Sequence, residues 1–168
     1  IQLTHSINTL VNRGARYIPQ IIRGYRNLDG TDDLIALKTS RPFQINDQKN
    51  LDIVLNAMHD VVHGEEGTAR FAFANTPYES AGKTGTAQLF TVGQDEKYDE
   101  DEVDERLRDN ALYVGFAPFD NPEISITVVL ENAGGGSSNA APVARKLMDF
   151  YFRDRRFETK TTDSERNE

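Results

Sequence analysis

The stretch Ser80-Ala81-Gly82-Lys83-Thr84-Gly85-Thr86-Ala87-Gln88 combines small residues, one cation and two hydroxyls. On a β-strand, Lys83, Gly85 and Ala87 face one side, while Thr84, Thr86 and Gln88 face the other. An amine, two hydroxyls and backbone N–H groups left unhindered by Gly85 could hold a peptide as an added strand and pair with its carboxylate. One N–H could also serve an oxyanion. The simpler alternative is an ordinary amphipathic strand.

Three strand patterns follow one another around this stretch, at residues 81–91, 111–117 and 123–131, the last two joined by a turn at 118–122. Three sequential strands, the last two joined by a tight turn, predict an antiparallel meander. A triple glycine at 134–136 then leads to a predicted helix with Ser138 or Asn139 as its N-cap and Pro142 in its first turn. Its apolar face comprises Val143, Leu147, Met148 and Tyr151.

Two helices are predicted upstream. The first carries Leu3, Ile7, Leu10 and Val11 and ends at Gly14; the second runs from Asp47 to His63, ends at Gly64, and carries Leu51, Val54, Leu55, Met58, Val61 and Val62. Between them lie strand candidates at 16–25 and 34–38, separated by the turn-forming pair Asp29-Gly30, and residues 70–74 have an extended pattern. The whole pattern predicts an α+β fold, an antiparallel sheet with helices packed on it.

The composition of the chain argues against several classes of function. The chain has 168 residues, a net charge of −8 and no cysteine. The negative charge argues against a nucleic-acid partner, and without cysteine there is no thiolate nucleophile, disulfide or cysteine zinc site. No apolar run approaches the roughly 20 residues that span a bilayer. The missing N-terminal cap before the first helix suggests a fragment of a longer protein.

Much of the negative charge lies in one acidic insert, residues 94–109, with nine acidic and three basic side chains between Asp95 and Asp109. Such dense like charge favours a solvated excursion between strands, with a helical turn at 103–108. A metal-binding loop is the alternative, although the glycine and the spacing of a calcium loop are missing. Residues 158–168 contain no large apolar residue and are expected to be a disordered tail.

Several other motifs lack a residue or a backbone geometry that their chemistry requires. His59 and His63 have the spacing of a helical zinc site, but Asp60 replaces the usual glutamate and no third histidine follows. A phosphate-binding loop ending at Gly82-Lys83-Thr84 would need a glycine where Pro77 stands. Ser80-x-x-Lys83 matches a serine nucleophile motif, but that chemistry needs a helical turn, which Gly82 and the strand pattern oppose. The two Ser-x-Asn strings, at 6–8 and 137–139, are too short to be specific.

The chain resembles the class B penicillin-binding proteins over about residues 1–152, and within them the elongation-specific transpeptidases. The segments that carry the resemblance are Leu10-Val11-Asn12-Arg13-Gly14, Gly67-Thr68-Ala69, residues 82–88 with Lys-Thr-Gly, Glu105-Arg106-Leu107-Arg108-Asp109, Phe116-Ala117-Pro118 and Val129-Leu130-Glu131-Asn132. It implies that residues 1–157 are the C-terminal portion of a transpeptidase domain. Lys83 would then supply positive potential and help proton transfer. Thr84 and Thr86 would bind the substrate carboxylate, Gly85 would keep the strand clear, and the Thr86 N–H would complete the oxyanion hole.

The same resemblance implies a peptidoglycan D,D-transpeptidase that uses no cofactor and is acylated by β-lactams. Its partners would be stem peptides, a membrane glycan polymerase and elongation-complex proteins, and its location the periplasmic side of the inner membrane. The family's Ser-x-x-Lys nucleophile is not present here in a credible context, so this chain alone should be inactive. The alternatives are a noncatalytic β-lactam-sensing or peptidoglycan-binding module, and a serine β-lactamase, which the insert and Arg106-Leu107-Arg108-Asp109 disfavour.

Overall fold

A three-stranded antiparallel sheet forms the centre of the computed structural model, which describes residues 1–89 and 104–154. The strands are β5 (Ala81–Ala87), β6 (Asn110–Ala117) and β7 (Ile124–Leu130), in the order β5-β6-β7. Strand β6 pairs with both neighbours, with Lys83 opposite Val114 and Val114 opposite Thr127. The predicted meander and the α+β class are confirmed. The first strand ends at Ala87, shorter than predicted.

Helices α1 (Gln2–Val11), α2 (Gln48–His63) and α3 (Ala141–Phe152) accompany the sheet. Asp47 caps α2 by accepting a hydrogen bond of 2.9 Å from the Lys49 N–H, and Gly64 ends the helix as predicted. Before α2 lie two small antiparallel sheets, one formed by β1 (Arg16–Tyr17) with β4 (Thr39–Ser40) and one by the hairpin of β2 (Gly24–Arg26) with β3 (Asp32–Leu34). The strand candidate at 16–25 is thus divided into β1 and β2, and the one at 34–38 coincides with a strand only at Leu34; the turn at Asp29-Gly30 is correct, and Gly30 has a positive φ of 85°.

Two apolar clusters hold the helices to the sheet. The larger includes residues of α2, the sheet and α3, among them Val62, Phe73, Tyr113, Val128 and Met148. In the smaller, Ile7 and Met58 pack with Ala81 and Phe116. Alternate residues of β6 thus enter the larger cluster, as expected for a strand whose side chains point to opposite faces. Burial of these side chains fixes β5 against both α2 and β6.

Helix α3 meets the sheet through a face that includes only part of the predicted one: Met148 is buried and Val143 packs against the larger cluster, as predicted. Its fully buried positions include Ala141, Ala144 and Met148, whereas Leu147 and Tyr151 are 49% and 42% exposed. Small alanines let the helix backbone approach the sheet closely, so the larger apolar residues are displaced to the flank. The predicted caps Ser138 and Asn139 are also wrong. They lie in a π-helical turn, Gly136–Ala140, that continues directly into α3.

The segment between α2 and β5 is a compact turn rather than the extended stretch predicted at 70–74. Its core residues are Ala69 and Phe73, which are 1% and 2% exposed. Arg145 of α3 donates to the Ala74 carbonyl at 2.9 Å and to the Asp149 carboxylate at 2.7 Å, and Tyr78 donates to Asp149 at 2.7 Å. Burial, together with the Asp149 carboxylate, raises the pKa of Tyr78. This network ties α3 to the turn.

The acidic insert is described only at its end. Residues 94–103 of the insert and the predicted tail, 158–168, lie outside the described residues. A short 3-10 helix, Glu105–Leu107, forms where a helical turn was predicted. Asn132 then donates its side-chain amide to the Arg106 and Arg108 carbonyls at 2.8 and 3.3 Å, which fixes this end of the insert beside the end of β7. In the described ranges, no helix is long and apolar enough to cross a membrane.

Candidate active-site strand

Strand β5 lies at one edge of the sheet. Its residues pair with β6 on one side, and within 1–89 and 104–154 no strand pairs with its other side. The edge of Lys83–Thr86 that faces away from β6 can therefore receive an extended peptide, as in recognition by strand addition. Gly85 has no side chain to cover this edge. The predicted edge-of-site geometry is thus present.

Each of the two threonine hydroxyls on β5 contacts a second element. Thr84 Oγ1 lies 2.9 Å from Thr68 Oγ1, in the turn after α2. Thr86 Oγ1 accepts a hydrogen bond from the Gly136 N–H at 3.3 Å, in the turn before α3. The two hydroxyls are therefore held in place from two sides, on the face of β5 that the alternation assigned to them.

Lys83 projects from the opposite face of β5 and is exposed. Its ammonium donates to the Thr84 carbonyl at 2.7 Å, which keeps the charge beside the strand. The cation, the two hydroxyls and the open strand edge are all features that bind a peptide carboxylate. Residues Lys83, Thr84, Gly85 and Thr86 are consecutive along the edge strand, with the cation and the hydroxyls on its two faces, and we call them the polar strip.

Glycines allow close approach on both sides of this strip. A Cβ at Gly136 would lie 2.5 Å from the Leu112 carbonyl oxygen and 2.9 Å from the Gly85 nitrogen, which are backbone atoms. The last glycine of the 134–136 run is therefore needed for the turn to reach Thr86. Sequence reasoning noted the triple glycine but did not assign it or Thr68 to the site. Thr68 could have been found only by placing Gly67-Thr68-Ala69 beside the strand.

Ser80 does not act as a nucleophile in this arrangement. It lies just before β5, is fully buried, and its backbone N–H donates to His63 Nε2 at 3.0 Å. Ser80 and Lys83 are not on a helical turn, so the rejection of Ser80-x-x-Lys83 is supported by the backbone. The same hydrogen bond occupies His63 Nε2, and the His59 and His63 rings lie 4.7 Å apart. This pair therefore joins α2 to β5.

The His63 contact predicts a pH dependence of stability. Burial, followed by the nearby His59, lowers the pKa of His63 below its ordinary value of about 6.5. The folded state therefore favours the neutral ring, which accepts from Ser80. Because the unfolded chain binds the proton more readily, the His63 contribution is complete above about pH 6.5 and is lost as pH falls through the folded pKa.

We expect the melting temperature of the full-length protein to fall below about pH 6.5, and His63→Gln to make that fall shallower, since a glutamine amide oxygen can still accept from Ser80. His5→Gln, a histidine on α1, is the control. Equal pH profiles for the wild type and His63→Gln would contradict the assignment.

An edge strand with this polar strip, an antiparallel meander and helices on the sheet are the features that the resemblance to the penicillin-binding proteins implies. The family model described as "Penicillin binding protein transpeptidase domain" matches residues 1–149, and the chain belongs to this family. The resemblance stated from the sequence is confirmed.

Individual proteins that the chain resembles have more specific names than the family. The chain is 39% identical over 159 residues to the peptidoglycan D,D-transpeptidase MrdA of Haemophilus influenzae, covering 92% of this chain and 24% of that protein. It is 30% identical to the MrdA of Escherichia coli strain K12, covering 89% and 23%. The crystal structure of Pseudomonas aeruginosa PBP2 in complex with WCK 5153 is similar with a TM-score of 0.70 and 33% identity, covering 96% and 32%. The chain spans about a quarter of the length of the curated relatives it matches.

Proposed function

We propose that this chain is the C-terminal portion of the transpeptidase domain of a peptidoglycan D,D-transpeptidase. The observation that carries the proposal is the open edge of β5, where Lys83, Gly85 and two held threonine hydroxyls form one strip. Its support is membership of the transpeptidase-domain family and the 39% identity to a protein named as a D,D-transpeptidase.

In the proposed reaction, a serine hydroxyl from a preceding part of the protein attacks the penultimate D-Ala carbonyl of a stem peptide. The peptide bond breaks, the terminal D-Ala leaves with the serine proton, and the acyl group remains on the serine. An amine of a neighbouring stem peptide then attacks this ester and restores the serine hydroxyl. β-Lactams acylate the same serine, because their ring amide takes the place of the scissile bond. No cofactor is proposed.

The residues of β5 receive distinct roles. The exposed ammonium of Lys83 supplies positive potential and assists proton transfer to or from the serine. The hydroxyls of Thr84 and Thr86 donate hydrogen bonds to the carboxylate of the stem peptide or penicillin. Gly85 leaves room for the substrate backbone, and the Thr86 N–H stabilises the oxyanion. A strand carrying only these groups has no nucleophile, so the 168-residue chain should not be acylated by itself.

Partners and location belong to the same proposal. The substrates are stem peptides, and the protein partners are a membrane glycan polymerase and other elongation-complex proteins. The proposed location is the periplasmic side of the inner membrane. The proposed domain comprises residues 1–157 with the acidic insert 94–109, followed by a tail. The alternative of a noncatalytic sensing or binding module is not favoured, because the matched relatives are named as transpeptidases.

The test is penicillin labelling of the full-length protein, with the adduct located by peptide mass spectrometry. We expect one adduct, on a serine in a Ser-x-x-Lys sequence that precedes residue 1 of this chain. The 168-residue chain, incubated in parallel, should give no adduct. An unlabelled full-length protein that is folded would contradict the enzyme proposal and leave a recognition module. An adduct on Ser80 would contradict the assignment of the nucleophile.

A further inference from the structure

The loop that carries Thr68 is fixed on both sides of that residue. A Cβ at Gly67 would lie 2.5 Å from the Asp60 carbonyl oxygen and 2.6 Å from that of Val61, so only glycine lets this loop pack on the end of α2. The Ala69 N–H donates to the Val61 carbonyl at 2.9 Å, and the Ala69 side chain is 1% exposed in the core. Thr68 is therefore presented from a rigid support rather than from a free loop.

From this support the Thr68 hydroxyl reaches the strand. Its Oγ1 lies 2.9 Å from Thr84 Oγ1, and either oxygen can be the donor in the free protein. A threonine hydroxyl has one proton to give and two lone pairs to receive. When Thr84 gives its only proton to a carboxylate, Thr68 has to be the donor in the pair. The hydrogen bond then polarises the Thr84 hydroxyl and points its proton away from Thr68, toward the ligand.

The Thr86 hydroxyl also has a hydrogen-bond partner on a second element, and here the donor is known. The Gly136 N–H can only donate, so Thr86 Oγ1 is the acceptor and its own proton is free for a ligand. The two hydroxyls of β5 are thus supported by two donors, one from the turn after α2 and one from the turn before α3. Only the Thr68 donor is a side chain, which makes it the one that a substitution can remove.

We propose that Thr68 is a positioning residue that holds the Thr84 hydroxyl in the orientation required to bind the carboxylate of the stem peptide or of penicillin. This inference rests on the proposed function, since the carboxylate is that of its substrate. Thr68 acts through Thr84 and does not touch the reacting atoms.

The first experiment measures acylation of the full-length protein by benzylpenicillin, separating the noncovalent dissociation constant from the acylation rate constant. Thr68→Val keeps the size of the side chain and removes the donor. We expect the overall acylation efficiency to fall about 3- to 30-fold, mainly through weaker initial binding, as for the loss of one hydrogen bond assisted by charge. Thr68→Ser restores the donor and should return the efficiency to within about 3-fold of the wild type.

The matched control is Thr76→Val. Thr76 lies in the same turn, but its hydroxyl contacts the Phe73 carbonyl at 3.3 Å instead of β5. We expect this variant to be acylated like the wild type. Melting temperatures of all variants are measured, because a loss of folding would lower acylation without any positioning role.

A double-mutant cycle separates positioning from a general structural role. If Thr68 acts through Thr84, then Thr68→Val should have little further effect on penicillin binding in a Thr84→Val background. Equal effects of Thr68→Val with and without Thr84 would overturn the proposal, as would wild-type acylation by Thr68→Val. Failure of the wild-type protein itself to be acylated would instead contradict the proposed function, so the two failures are distinguishable.

Discussion

Lys83→Ala in the full-length protein is expected to lower the rate of acylation by penicillin by a factor on the order of 10². The ammonium beside β5 is exposed and lies next to the strip that we propose binds the carboxylate, so its removal would take away both the positive potential and the proposed proton-transfer group. The effect should appear in the acylation rate constant as well as in initial binding, measured by stopped-flow labelling.

Two further variants define what Lys83 contributes. Lys83→Arg retains a positive charge but replaces a compact amine that can exchange a proton with a guanidinium that stays charged. We expect it to recover initial binding more than the acylation rate. The control Lys146→Ala removes an exposed cation on α3 and should leave both constants unchanged. If Lys83→Ala acylates at the wild-type rate, Lys83 has no part in the reaction and the strip only binds substrate.

Gly82→Ala is expected to destabilise the domain by about 3 kcal/mol. A Cβ at Gly82 would overlap the Tyr113 hydroxyl and lie 2.5 Å from its Cζ, and Tyr113 is fully buried against Phe73. Gly115 faces the same ring from β6, with a Cβ position 2.9 Å from the Tyr113 hydroxyl. Because both glycines make room for one ring, the ring cannot move aside without disturbing the core. The measurement is the urea midpoint of the full-length protein.

Removal of the Tyr113 hydroxyl tests whether this clash explains the effect of Gly82→Ala. It is buried with no hydrogen-bond partner among the described residues, and burial raises its pKa. Tyr113→Phe should therefore cost little, and in its presence Gly82→Ala should cost less, because the atom nearest to the new Cβ is gone. Ala87→Val, at an exposed position of the same strand, should change stability by less than about 0.5 kcal/mol. Equal costs of Gly82→Ala in both backgrounds would show that Tyr113 is not the obstacle.

Gly82 and Tyr113 connect the core to the site. The ring that excludes a side chain at Gly82 also lies opposite Thr84 in the β5–β6 register. A small shift of β5 away from Tyr113 would therefore move the Lys83–Thr86 strip relative to Thr68 and Gly136. We expect Gly82→Ala to reduce acylation even under conditions where the variant remains folded.

Local sequence patterns predicted the structure correctly where it depends on a single helix or strand. The period of apolar residues and the Asp47 and Gly64 boundaries predicted α2, and the alternation around Lys83 predicted a strand with its hydroxyls on one face. Three successive strand patterns predicted the meander because strands consecutive in sequence are usually neighbours in the sheet, and the short turn between the last two favours an antiparallel pair. The family resemblance added the site residues Lys83, Thr84, Gly85 and Thr86 as expectations, and these remain proposals for the reaction.

The predictions failed where packing between distant segments decides the outcome. The face of α3 was predicted from its large residues, but Ala141 and Ala144 meet the sheet because they permit the closer approach. Residues 70–74 were predicted as extended, yet they turn because Ala69 and Phe73 are buried and Arg145 binds the Ala74 carbonyl. No local pattern contains these contacts, since their partners lie on other elements; Arg145 and Ala74 are 71 residues apart in the chain.

The sequence by itself determined the three helices, the meander and the chemical character of the β5 strip, because helical and strand periodicity and side-chain chemistry are local properties. Only the tertiary structure decided that Thr68 and Gly136 reach Thr84 and Thr86, and that Gly82 and Gly115 accommodate Tyr113. Those contacts join segments separated in the chain, and they form only when burial of the shared core brings α2, the sheet and α3 together.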